Sequence, residues 1–425
     1  MVGVAMQSEE VLHTPTSSVP SFDVEAVRRD FPILQQKVHG KPLVYLDNAA
    51  TTQKPQAVID RITQYYETEN SNIHRGVHHL SELSTNAYED VRKQASRFIG
   101  AAEASEIIFL RGTTEAINLV AQGWGRPKLG PQDELVVTEM EHHSNIVPWQ
   151  MLCEQTGATL RVAPIDDQGD VILEKYERLL NDKTRLVAMP HISNALGTIP
   201  PIRQMITMAQ QHGALTLVDG AQAIAHLPVN VAELGCDFYT VSAHKMFGPT
   251  GVGFLYGRRE LLEEMQPWQG GGDMISTVSF SGTSWNKVPH KFEAGTPDIA
   301  GVIGLGEAIR YLQGLDSQQV MAHEEQLLSV ARQKVGAIPG VKLIGSAVQQ
   351  ASILSFTVQG VHPHDVGTIL DQAGVAIRAG HHCAQPVMEH FGVPATVRAS
   401  FALYNTQREV DALVAGLQEV REIFS

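Results

Sequence analysis

The hydrophobic and polar positions fall into a readable rhythm from Asp23 onward. Asp23 caps a short amphipathic helix, VEAVRRDF, that Pro32 stops. After it, apolar runs of strand length alternate with longer segments of helical period. IIFL (107–110) precedes TTEAINLVAQGW (113–124), and ELVVT (134–138) precedes IVPWQMLCEQTG (146–157). LRVAP (160–164), RLVAMP (185–190), ALTLVDG (214–220) and DFYTVS (237–242) follow, with a helix at MITMAQQHG (205–213). Short, wholly apolar strands separated by helices predict an α/β fold, with a mostly parallel sheet covered on both faces.

The alternation loosens near residue 300. Beyond it the pattern predicts helices at 302–314 and 317–337 and strands at 352–358, 375–379 and 398–404. A last amphipathic helix follows at 406–424. The division expected is a disordered tail (1–22), a large domain (23–300) and a smaller α+β domain (301–425). The tail is rich in Ser, Thr and Pro and shows neither period.

Composition removes several functional classes. Among 425 residues, 32 Lys and Arg face 46 Asp and Glu, a net charge of −14, with no basic block. A protein that tracks nucleic-acid phosphates is disfavoured. No apolar run approaches the roughly 20 residues that span a bilayer. The first 22 residues have no basic segment leading into an apolar one and no Arg, which disfavours secretory and organellar signals. Three scattered cysteines, Cys153, Cys236 and Cys383, suit neither a disulfide framework nor a paired-cysteine zinc site. A soluble, cytoplasmic enzyme without a metal is expected.

In open α/β sheets, ligands bind beyond the carboxyl ends of the strands, and polar groups gather there. IIFL ends in Arg111-Gly112-Thr113-Thr114-Glu115, which reads as a phosphate cradle at a helix start or as a plain Thr cap. ALTLV ends in Asp219, either a turn cap or the partner of a protonated pyridine nitrogen. DFYTVS leads into Ser242-Ala243-His244-Lys245, with Lys245 26 residues after Asp219, about one crossover of a parallel sheet. Such a lysine is ordinarily a solvated surface residue. Sharing a crevice with Asp219, it is placed to form a Schiff base. Phosphate contacts, an acidic partner and an amine together fit one cofactor, pyridoxal 5′-phosphate. Nucleotide motifs are lacking, since there is no GxxxxGK[ST] and the glycines at 248–253 have the wrong spacing for GxGxxG.

Two clusters add chemistry. In Glu141-His142-His143-Ser144-Asn145, neighbouring imidazoles in extended chain point apart, which favours one imidazole over a pyridine ring rather than a metal pair. In Arg378-Ala379-Gly380-His381-His382-Cys383, the arginine and histidines favour thiolate, so Cys383 reads as a reactive thiol. A His/Cys metal site in this loop is the competing reading. Residues 72–79 hold three histidines without metal spacing and read from pattern as a polar loop.

The segments LDNAATTQKP (46–55), HRGVHHLS (74–81), RGTTEAINLVA (111–121), EMEHHSNIVPWQ (139–150), ISNALG (192–197), VDGAQA (218–223), SAHKMFGPTG (242–251), FEAGTPD (292–298) and RAGHHCAQP (378–386) resemble the group II cysteine desulfurases of the SUF type. The likeness runs from about residue 23 to the C-terminus. It implies a fold-type I pyridoxal-phosphate homodimer of the class V aminotransferase superfamily, with active sites at the subunit interface. On the matching motifs, Lys245 is similar to the Schiff-base lysine, Asp219 to the residue facing the pyridine nitrogen, Gln222 to the partner of the ring hydroxyl and His142 to the stacked imidazole. Thr114, Ser242 and His244 match phosphate contacts, joined by Thr296 from the other subunit. Asn194 and Arg398 resemble the pair holding the substrate carboxylate, and Cys383 the persulfide cysteine, with Arg378 near it. His74 and Arg75 resemble a loop that enters the neighbouring site, which replaces the plain-loop reading. The resemblance further implies conversion of L-cysteine to L-alanine and passage of sulfur to a SufE-type acceptor and the SUF scaffold for iron–sulfur cluster assembly. Selenocysteine lyase activity is the alternative.

Overall fold

The computed structural model describes residues 22–424. The expected tail therefore lies, apart from Phe22, outside the described residues. Helix α1 (Val24–Arg29) starts where the pattern places it, because Asp23 Oδ1 accepts the Ala26 N–H at 3.0 Å.

The large sheet has seven strands: β1 (Ile107–Leu110), β2 (Glu134–Thr138), β3 (Thr159–Ala163), β4 (Thr184–Pro190), β5 (Leu215–Asp219), β6 (Phe238–Ser242) and β7 (Gly253–Gly257). They lie in the order β1-β7-β6-β5-β4-β2-β3. Only β7 runs antiparallel to its neighbours. Alternate residues feed two separate cores. Val187, Val218 and Val241 join one, while Leu186, Leu217 and Phe238 join the other. Both faces are thus covered, as predicted.

Several elements differ from the pattern. LRVAP lies in the edge strand β3, where Thr159, Arg161 and Val162 are exposed and only Ala163 is buried. Strand β7, with a glycine at each end, is buried on both faces and lies outside the predicted runs. The polar stretch at 72–79 leads into a 20-residue helix, α2 (His79–Phe98). The run at 375–379 is divided: Val375–Ala376 pairs in parallel with Val44–Tyr45, and Arg378–Gly380 joins a second sheet. The strand expected at 398–404 is Thr396–Ser400, and the chain turns away after it.

The second sheet is antiparallel, with β8 (Val341–Ile344), β9 (Ile353–Val358), β10 (Arg378–Gly380) and β11 (Thr396–Ser400) ordered β8-β9-β11-β10. Three helices cover it through a shared core of Leu328, Val366, Leu370, Leu413 and Leu417. They are Ser317–Gly336, Pro363–Gln372 and Gln407–Ile423. A capping box of Thr406 and Glu409 starts the last one. Arg28 of α1 reaches this region, donating to Tyr404 O at 2.6 Å and to Glu409 at 2.9 Å. Among the described residues no helix is long and apolar enough to cross a membrane.

Candidate active site

A cavity of about 280 Å³ opens at the carboxyl ends of β1, β2, β4, β5 and β6. Thr114, His142, Asn194, Asp219, Gln222, Ser242, His244, Lys245, Arg378, Cys383 and Arg398 line it together. Residues spread over nearly 300 positions therefore share one space.

Each is placed by a local device. Gly112 has φ +141°, and a Cβ there would meet Ser242 Oγ at 3.0 Å. Its glycine lets the turn close, so the Thr113 N–H donates to Ser242 Oγ at 2.9 Å. The Thr113 hydroxyl, at the start of Thr113–Val120, is buried with no hydrogen-bond partner among the described residues. A helix N-terminus with a free hydroxyl, flanked by Thr114, Ser242 and His244, fits a phosphate. Asp219 ends β5, and Oδ1 accepts the Ala221 N–H at 2.9 Å. Burial pushes its carboxyl up, opposed by that bond and by the Lys245 charge. Burial also pushes the Lys245 amine down to about 8, with Asp219 pulling the other way. An opposing ring cation would settle the buried carboxylate, so the two residues fit pyridoxal 5′-phosphate.

The Lys245 turn is pinned from the N-terminal segment. His244 O accepts the Thr52 N–H at 3.0 Å, the Thr51 hydroxyl at 3.0 Å and Lys54 Nζ at 3.2 Å. Gln222 Nε2 donates to Ala49 O at 2.7 Å. His142 is held by Ser144, whose N–H reaches Nδ1 at 3.0 Å. Burial and the Lys245 charge drive its pKa down to about 3, so the ring is neutral.

Arg398 is 2% exposed. Its Nη1 donates to Asn194 O at 2.8 Å, while Nε has no hydrogen-bond partner among the described residues. Asn194 Nδ2 in turn donates to His382 O at 2.6 Å. Asp47 joins the two arginines, accepting from Arg378 Nη2 at 2.8 Å and lying 3.4 Å from Arg398 Nη2. Asp47 lies in the segment LDNAATTQKP, which the family resemblance covers without assigning the carboxylate a role. The signal was a carboxylate followed by an Asn-Ala-Ala turn, whose partners lie more than 300 positions away.

Three of the expected site residues stand apart. Thr296 lines a different cavity, with Phe292, Glu293 and Val302. His74 Nε2 meets Glu89 Oε1 at 3.0 Å, and Arg75 Nε meets Asp273 at 2.9 Å. His74, Glu89 and His290 bring ligand-type atoms within 4.8 Å of one another, but Arg92 already occupies both Glu89 oxygens. The Cys383 loop contributes to no such cluster among the described residues.

The aminotransferase class-V profile matches residues 44–413. A probable cysteine desulfurase of Mycobacterium leprae is 54% identical over 95% of this chain, which spans 66% of that longer protein. A cysteine desulfurase of Salmonella agona is 52% identical, covering 95% of this chain and 99% of its own length. The crystal structure of the Escherichia coli cysteine desulfurase CsdA in its S-sulfonic acid form superposes with a TM-score of 0.89 at 41% identity, over 95% of this chain and 100% of the other. With its strand ends furnished for pyridoxal phosphate, the chain belongs to the aminotransferase class-V family and is similar over most of its length to cysteine desulfurases within it.

Proposed function

We propose that the protein is a pyridoxal 5′-phosphate-dependent cysteine desulfurase, converting L-cysteine to L-alanine and leaving the sulfur as a persulfide on Cys383. One observation carries this reading: Lys245, Asp219 and Cys383 line the same cavity. An aminotransferase needs the first two and has no use for the third. The names of the similar proteins support cysteine over selenocysteine as substrate.

When bound, the cofactor supplies an aldehyde that links to amines and a ring that draws electrons from the adjoining carbon. The residues do the rest. Thr114, Ser242 and His244 would hold the phosphate, and Asp219 would favour a positive charge on the ring nitrogen. Gln222 serves the ring hydroxyl, and the neutral His142 suits stacking. Arg398 receives the substrate carboxylate beside Asn194, with Arg378 lining the same cavity. Lys245, with its pKa near 8, has enough neutral amine at physiological pH to take the proton from Cα and return it. Cys383 Sγ attacks the substrate sulfur. A sulfur–sulfur bond forms, the Cβ–S bond breaks, its electron pair stays with the carbon skeleton, and protonation there completes alanine.

The working unit in this reading is a homodimer, with Thr296, His74 and Arg75 serving the neighbouring site. Exposed Val77, Leu80 and Leu83 near the start of α2, and Val278 and Phe280 on the 275–285 hairpin, support a covered surface. A SufE-type acceptor and the SUF scaffold would take the sulfur for iron–sulfur cluster assembly. Unpaired cysteines support a reducing compartment such as the cytoplasm.

The test is an absorption spectrum of purified holoenzyme before and after L-cysteine, with alanine quantified. Cys383→Ala should still change its spectrum with L-cysteine yet form almost no persulfide. Undiminished turnover in that variant would remove Cys383 from the reaction.

A further inference from the structure

We infer that His143 is a positioning residue for Cys383: it clasps the thiol-bearing loop through its backbone N–H and its ring, setting where the nucleophile stands over the cavity. The inference rests on the desulfurase reading for its consequence, though not for its geometry. His382 and Cys383 both have φ of 54°, the left-handed region, and neither is glycine. L-residues seldom adopt it in succession, so surrounding bonds must impose it. Asn194 Nδ2 holds His382 O, the His382 ring meets Thr396 Oγ1 at 2.8 Å, and Ala384 N donates to His381 O at 2.9 Å.

Two further bonds come from His143. Its N–H donates to Cys383 O at 2.7 Å, and its Nε2 accepts the Gln385 N–H at 3.1 Å. The clasp thus grips the loop at the cysteine and two residues beyond it. Accepting from Gln385 requires an unprotonated Nε2, and burial together with the His381 charge favours the neutral ring. His142 and His143 divide the work. Their ring centres lie 6.3 Å apart, and only His142 lines the cavity. Adjacent residues therefore link the cofactor face to the nucleophile's loop.

Any variant short of proline keeps the backbone bond, so substitution isolates the ring. The experiment compares His143→Leu, which fills the volume without an acceptor, with His143→Gln, whose Oε1 can accept the Gln385 N–H. In each holoenzyme, Cys383 alkylation by iodoacetamide is followed by peptide mass mapping, which separates it from Cys153 and Cys236. Persulfide formation is timed at saturating L-cysteine, and KM and the cofactor absorption are recorded. His143→Leu should change the alkylation rate several-fold and slow persulfide formation roughly tenfold or more, since small misplacements are costly. KM and absorption should hold, and His143→Gln should recover most of the loss. A Leu variant that behaves like wild type, or a Gln variant as impaired as Leu, overturns the inference. If wild-type holoenzyme forms no persulfide, the desulfurase reading fails, while the alkylation comparison still decides the clasp.

Discussion

Replacing Asp47 by Ala tests the charge balance of the two cavity-lining arginines, Arg378 and Arg398. Asp47 accepts from Arg378 Nε at 3.1 Å and Nη2 at 2.8 Å and lies 3.4 Å from Arg398 Nη2. At 3.4 Å the gross attraction to Arg398 is about 5 kcal/mol for an effective dielectric of about 20. Arg378 is half-exposed, so its share is about 0–1 kcal/mol. Arg398 is buried, and burial already drags its pKa down to about 10 against the pull of Asp47. Without the carboxylate it faces the like charge of Arg378 with little compensation. Truncating one member of a buried pair costs about 3–5 kcal/mol, and the long Arg398 contact points to the lower end, about 3 kcal/mol. Urea unfolding of the holoenzyme, with the slope checked for two-state behaviour, reads this out. Asp47→Asn should lose less. The double variant Asp47→Ala/Arg398→Met should regain much of the loss, because no stranded buried charge remains. An Asp47→Ala midpoint close to wild type, or a double variant whose losses simply add, would refute the reasoning.

Two further outcomes follow from the same structure. Glu141 is fully buried, and burial pushes its carboxyl up to about 8, beyond what its bonds to Thr138 and Asn145 offset. Between the ordinary value near 4.5 and about 8 the folded cofactor-free protein holds a proton that the unfolded chain has lost, so this group's stabilisation declines as pH rises through that window. Glu141→Gln should remove the decline; parallel stability–pH curves for the two proteins would contradict it. Gly220→Ala places a Cβ inside the Tyr239 ring, whose hydroxyl meets His191 Nδ1 at 2.9 Å. The overlap should cost about 3 kcal/mol and lower cofactor retention by disturbing Asp219, as thermal denaturation and cofactor content would register; unchanged values would show that the turn yields freely.

The alternation of apolar runs was enough for the sheet, because β2, β4, β5 and β6 are buried on both faces and carry little else. It failed at β7, where glycines flank the strand, and at β3 it placed the strand but not its edge position. Lys245, Asp219 and Cys383 were legible because each sits beside a strand end with chemistry unusual for a turn. Asp47 and His143 were not, since their partners are main-chain atoms or side chains far off in sequence.

Local sequence determined the elements and the identity of the reactive groups, since periodicity and caps act within a few residues. Tertiary structure alone decided that the β11 residue Arg398, the loop residue Cys383 and the segment around Asp47 meet over Lys245. Register and packing between distant strands set those distances, and such long-range geometry leaves no local trace in the chain.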